Sequence, residues 1–332
     1  MNNKSIIKKN GFVKYITDNL GKLIALAVLC VIFSIASEQF LKEKNLINIL
    51  RQISINAIIA FGMTAVLLIG GIDLSVGSVA ALCGCTAVVI ISAGMPVFVG
   101  VLGAVLLGCL VGLANGLIIS KSKLPPFIVT LGMMTIARGF AYIYSDGRPT
   151  PIKNEWFDQI GNAYVFNIIP TPVVIMVVVL IFMSVLLNKT RFGRNIYAIG
   201  GNTECALFSG IRVERTQIGV YMINGSLTAI AGLILTSRLG SGQPMVGEGY
   251  ELDAIAAAIL GGTSFSGGIG RIGGTIIGAL ILGVLSNGLN LLQVSYYWQL
   301  VAKGAIIIVA VYVDHIKKIN KSTMKAVQKE SA

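Results

Sequence analysis

Residues 249 to 292 read GYELDAIAAAILGGTSFSGGIGRIGGTIIGALILGVLSNGLNLL, two apolar runs joined by a glycine-rich turn. Gly268, Gly270 and Gly273 in that turn spell a literal G-x-G-x-x-G. The stretch could therefore be a nucleotide-binding loop or two membrane helices folded back on each other. A dinucleotide loop needs a strand before its glycines and a βαβ unit around them, and a P-loop needs Lys-Ser or Lys-Thr after them. None of these surrounds this run. The glycines read instead as a helix-to-helix reversal: Gly262 at the end of an apolar span, Gly268 in the turn, and Arg271 on the cytoplasmic face.

Composition extends that reading outward. The 332 residues are 55% hydrophobic and 12% charged, about half the charged share of a soluble domain. Apolar windows of about 20 residues, enough to cross a hydrocarbon layer of about 30 Å, fall near 22–40, 52–70, 73–93, 97–119, 127–144, 170–188, 216–238, 251–267, 271–292 and 297–314. Lipid forces backbone groups to pair within each segment, and windows this long without period-2 alternation are helices rather than barrel strands. The expected fold class is an all-α membrane protein of about ten transmembrane helices, with a permease domain over 22–315 and tails at 1–21 and 316–332. The first window reads as an uncleaved helix and not a signal peptide, because nine more follow.

A net charge of +12 raises the question of nucleic acid. If the N-terminus is cytoplasmic, 18 basic residues fall on that side, 6 on the other, and 2 within spans. That asymmetry is the positive-inside pattern; it places both termini in the cytoplasm and sets a nucleic-acid partner aside. The five cysteines show no C-x-x-C spacing, so neither a metal site nor a disulfide framework is expected.

The chain also repeats itself. IDLSVGSVAALCG (72–84) lies over YELDAIAAAILGG (250–262), matching Asp73 with Glu251 and Gly84 with Gly262. GAVLLGCLVGLAN (103–115) lies over GALILGVLSNGLN (278–290), matching Asn115 with Asn290, and Asn56 falls near Asn224 at a similar shift. Two halves of five spans, about 22–144 and 170–315, would be inverted in the membrane, a signature of transporters.

Polar residues inside such a bundle are candidates for its work. Asp73 and Glu251 each open a span, where a carboxylate can accept from free N–H groups at the positive helix end, so structural capping is expected; an ion site is the alternative. Arg138 and Lys303 lie within spans, where a cation is costly unless it faces a cavity or a partner. Asn56, Asn115, Asn224, Asn287, Asn290 and Gln293 could bond solute hydroxyls or neighbouring helices. The longest inner polar segment, NKTRFGRNIYAIGGNTECALFSGIRVERTQ (188–217), holds Glu204, Ala206 and Gly210 at the spacing of E-A-A-x-x-x-G, with Cys205 in the second alanine place. That spacing predicts a short exposed helix that seats in a groove of a partner.

With these stretches in view, the sequence resembles the ribose-type sugar permeases of the ATP-binding cassette importer superfamily. NAIIAFGMTAVLLIGGIDLSVGS (56–78), YAIGGNTECALFSGI (197–211) and residues 249–292 carry the likeness, which covers roughly 21–315; Cys205 is a small departure. The resemblance implies a multi-pass protein of the bacterial cell membrane that pairs with a second copy of itself. It also implies two cytoplasmic ATPase subunits and an extracytoplasmic sugar-binding protein. ATP and magnesium would sit on the ATPase, and this chain would bind no cofactor and no metal. Glu204 to Gly210 would be the coupling helix within 189–215, and 145–169 and 239–250 the docking loops for the binding protein.

Two other classes compete. An intramembrane enzyme lacks its residues, since the only histidine, His315, borders the C-terminal tail and no carboxylate pair lies within a span. An ion-coupled secondary transporter would share spans and repeats but would want buried acids and have no use for the Glu204 motif. Within the importer reading, another pentose, a hexose or a furanose-like signal molecule stands beside ribose.

Overall fold

A computed structural model describes residues 11 to 306 with 308, 309, 311 and 312, and for 11 to 18 the backbone only. His315, the tail 316–332 and the first ten residues lie outside the described residues.

The chain folds as α1 (Gly11–Ala36), α2 (Glu43–Leu68), α3 (Val76–Ser92), α4 (Val97–Ser122), α5 (Pro126–Ser145), α6 (Glu155–Asn162), α7 (Thr171–Lys189), α8 (Arg191–Gly201), α9 (Thr203–Phe208), α10 (Val213–Leu239), α11 (Tyr250–Leu260) and α12 (Ile272–Leu291). A further helical stretch runs from 296 to 306 and includes 308, 309, 311 and 312. Local chemistry sets many of the ends. Pro126 and Pro172 sit in the first turns of α5 and α7, where their missing N–H costs nothing, and α10 stops at Gly240, whose left-handed φ of 61° closes it.

Seven helices among the described residues are long and apolar enough to cross a membrane: α1 (from Asn19), α2, α4, α5, α7, α10 and α12. Four expected spans differ. The first helix starts at Gly11, inside the segment expected to be a tail, and ends at Ala36. The second helix starts at Glu43, well ahead of the window 52–70, and ends at Leu68. The window 73–93 yields the 17-residue α3, about 25 Å long. The window 251–267 is broken: α11 has 11 residues, about 16 Å, and ends at Leu260. Gly261 and Gly262 stop it, and 261–271 turn without crossing. Window hydropathy does not register this stop, because glycine is nearly neutral in transfer yet weak in a helix.

α2, α10 and α12 form the interior, most of each buried, while α1, α4, α5 and α7 keep most of their surface outward. On α4 the two environments separate by helical spacing. Phe98, Leu102, Leu106 and Leu110 are exposed, whereas Gly100, Ala104, Gly108, Gly112 and Gly116 are in contact or buried. The small face meets α10 backbone to backbone: a Cβ on Gly108 would strike the carbonyl of Gly225, one on Gly225 the carbonyl of Gly108, and one on Gly112 the carbonyl of Tyr221. Lipid tails offer no hydrophobic drive for helix association, so this close approach is where packing energy comes from.

Gly108→Val is therefore expected to destabilise the protein by about 1–3 kcal/mol through overpacking, read as a lowered melting temperature in detergent. Leu106→Ala on the outward face should leave it nearly unchanged.

Candidate functional site

Five polar side chains from three segments converge where α2 gives way to α3. Residues 69–75 are irregular, with Gly70 at φ 75°. In this stretch Asp73 is buried, 2% exposed. Its Oδ1 accepts from the Ser75 N–H at 2.9 Å and the Ser75 hydroxyl at 2.6 Å, and its Oδ2 accepts from Asn224 Nδ2 of α10 at 2.8 Å. Asn115 of α4 donates to Ser75 Oγ at 3.2 Å, and the Tyr221 hydroxyl donates to the Ile72 carbonyl at 3.4 Å. A buried carboxylate held only by neutral donors costs desolvation that these bonds must offset.

Asp73 differs from a plain cap. Ser75 is the N-cap of α3 and makes no side-chain cap bond, while Asp73 holds the Ser75 N–H from two residues upstream. The sequence reading missed Ser75 and Tyr221; the Asp-x-Ser spacing is the local signal for the first, and nothing local marks the second. Asn115 Oδ1, Asn224 Oδ1 and Thr228 Oγ1 are buried with no hydrogen-bond partner among the described residues. Asn115 and Thr228 border a crevice with no room for a water molecule, and the bonds of Asn115 and Asn224 to the 73–75 turn tie α4 and α10 to it.

The other path candidates lie apart. Asn56 is half-buried on α2. Asn290 Oδ1 accepts from Gln299 Nε2 at 2.8 Å, and Lys303 pairs with Asp253 of α11 at 2.9 Å. Arg138 of α5 donates through Nη1 to the carbonyls of Pro244 and of Val246, the latter at 2.8 Å. Glu251, at the second position of α11, has its carboxylate beside the backbone of Gly77 and on the wall of a cavity with Arg138.

The glycine run forms a junction at the far end of α11, against the end of α2. Gly262 takes φ 89°, and Lys22 Nζ of α1 donates to the neighbouring Gly261 carbonyl at 2.6 Å, a cation at the negative end of α11. Gly268, at φ 73°, donates its N–H to the Leu68 carbonyl at the end of α2, 2.9 Å away. Tyr197 of α8 donates its hydroxyl to the Gly270 carbonyl at 2.9 Å. Burial raises the Tyr197 phenol above its ordinary value, against an opposing pull from Arg271, and keeps that proton in place.

α8 and α9 build the inner polar segment. Thr190 Oγ1 accepts from the Gly193 N–H at 3.1 Å and Asn202 Oδ1 from the Cys205 N–H at 2.9 Å, so each short helix has a side-chain cap. Gly210, at φ 78°, turns the chain out of α9. Glu204 is exposed, whereas Ala206 is buried against its own chain. The outward apolar groups are Leu207 and Phe208, 60% and 88% exposed.

At the other end, the two candidate docking loops meet. β1 (Thr150–Pro151) pairs antiparallel with β4 (Ser241–Gly242), and β2 (Tyr164–Val165) with β3 (Ile169–Pro170). α6 is fastened to α10 by Ser237, whose hydroxyl donates to the Phe157 carbonyl at 2.6 Å and accepts from the Gly161 N–H at 2.8 Å. The Arg51 guanidinium lies 4.7 Å from the centre of the Tyr164 ring.

Comparison with known proteins fits this arrangement. The ribose import permease protein of Bacillus subtilis is 50% identical over 91% of this chain and 94% of its own length, and that of Escherichia coli K12 46% over 96% and 100%. The L-arabinose transport system permease protein of Escherichia coli K12 is 44% identical over 93% and 94%. A solved ABC transporter of the metal-chelate type, inward-facing, shares the fold at a TM-score of 0.55 and 15% identity, covering 89% of this chain and 99% of that one. The model of the branched-chain amino acid transport system permease component matches residues 45–311. The chain is a multi-pass translocation subunit and no enzyme, and it belongs to this permease-component family of the ABC transporters.

Proposed function

We propose that the chain is the membrane subunit of an ATP-driven importer for a monosaccharide, with ribose the first solute. The observation that carries this is 50% identity to a ribose import permease across nearly the whole chain, ahead of 44% to an arabinose permease. Two copies of the chain enclose the path, two cytoplasmic ATPase subunits dock below, and a sugar-binding protein docks above. ATP and magnesium belong to the ATPase, and this chain holds no cofactor.

The seven long helices, the shorter α3 and α11, and the stretch from 296 make ten membrane segments with both termini cytoplasmic. Inverted halves are supported by an exchange of partners: α10 of the second half packs on α3 and α4 of the first, and α2 of the first on α11 and α12 of the second. In each half the shortened helix occupies the third place, as expected of broken helices beside a solute path.

α9 is the coupling helix. Its exposed Leu207 and Phe208 supply the apolar contact to the ATPase, Glu204 the charge, and Gly210 the exit; Ala206 seats the helix on its own body. The paired loops around β1 and β4 receive the binding protein.

The chain reconstituted with its ATPase and binding protein is expected to accumulate radiolabelled ribose with ATP. Uptake on an ion gradient without the ATPase would mean a secondary transporter, and accumulation of arabinose alone would reassign the sugar. Glu204→Lys and Gly210→Arg should insert normally yet separate ATP hydrolysis from uptake, measured together in proteoliposomes; normal transport in both overturns the coupling role.

A further inference from the structure

A cavity of about 400 Å³ opens beneath the paired loops, between α5, the start of α3 and the start of α11. It is walled by Ser78, Thr135, Arg138, Tyr142, Glu248 and Glu251. Its size falls within the range of about 300–1,000 Å³ usual for small-ligand sites. Thr135, Arg138 and Tyr142 stand at positions i, i+3 and i+7 of α5, one face of that helix.

The charges here are close without being spent on each other. Glu248, Glu251 and Arg138 wall the same cavity, yet among the described residues no ion pair within 4.0 Å joins either carboxylate to the guanidinium. Arg138 uses Nη1 on the carbonyls of Pro244 and Val246, and Nε and Nη2 make no bond to another described residue. The Glu251 carboxylate lies against the bare backbone of Gly77: a Cβ there would lie 2.6 Å from Glu251 Oε2.

We propose that this cavity is a solute-contact site of the translocation path and takes a neutral polyol of aldopentose size. A sugar hydroxyl donates and accepts at once, so neighbouring hydroxyls can bridge a guanidinium donor and a carboxylate acceptor that do not reach each other. The Ser78 hydroxyl adds a contact of either sense, the Thr135 hydroxyl, which donates to the Gly132 carbonyl at 2.7 Å, adds an acceptor, and the Tyr142 ring offers an apolar face. A metal ion is disfavoured because a guanidinium shares the cavity and no three His, Cys, Asp or Glu residues converge among the described residues. The position fits the role: Arg138 pins the 244–246 backbone, which follows β4 directly, so a solute released above the paired loops meets this cavity first. The proposal rests on the importer reading and adds to it the residues that touch the sugar.

The test uses the full complex of permease, ATPase and binding protein in proteoliposomes. Thr135→Cys is labelled with a membrane-impermeant maleimide, and modification at that position is followed by peptide mass spectrometry. D-ribose in excess is expected to slow labelling severalfold, and the same concentration of glycine betaine to leave it unchanged. Adding Glu251→Gln should weaken protection about tenfold in ribose concentration, the effect of losing one charged hydrogen bond. Labelling that ribose does not slow, or that betaine slows equally, overturns the site. Ribose uptake by the unsubstituted complex, measured in parallel, separates the two readings: uptake without protection removes the site and leaves the importer, while absence of uptake removes the importer reading itself.

Discussion

The contact on which the rest of the structure depends is that of α4 with α10, where the backbones at Gly108 and Gly225 touch. In water such a contact would be a by-product of hydrophobic burial; in lipid it has to be attractive on its own account, through dispersion and short interhelical dipoles. With α4 and α10 this close, Asn115 and Asn224 both come within reach of the 73–75 turn, and a carboxylate with no cation nearby acquires enough donors to stay buried. Larger residues at those glycines would separate the helices and leave Asp73 desolvated and under-bonded.

The legibility of the fold in the sequence followed how each element is stabilised. Long apolar helices announce themselves: α4, α5, α7, α10 and α12 fall where hydropathy places them, and α2 ends there although it starts earlier, in a polar first turn. α11 does not, because its end is a backbone event at Gly261 and Gly262 inside a stretch that remains apolar. The early start of α1 and the short α6 were equally hidden, since polar helices outside the lipid carry no such signal.

The candidate sites divide in the same way. Glu204, Ala206 and Gly210 are close in sequence, so their spacing was readable, although the inward turn of Ala206 was not. Arg138 is singled out by its cost in a span, but Glu248 lies 110 residues on, and no local pattern joins them. Tyr221 is a further case: one more aromatic residue in an apolar helix, whose hydroxyl matters only once the 69–75 turn lies beside it.

The junction at Gly268 has a geometric meaning for motion. Leu68 at the end of α2, Gly200 at the end of α8 and Gly268 in the loop after α11 meet main chain to main chain, with Tyr197 clasping Gly270 alongside. Side chains in a contact can swing through rotamers and absorb a displacement; peptide planes pressed together cannot. The three segments therefore behave as one welded node with no play in it. Any displacement of α8 at Gly200 bears directly on the last turn of α2 and on the loop that follows α11.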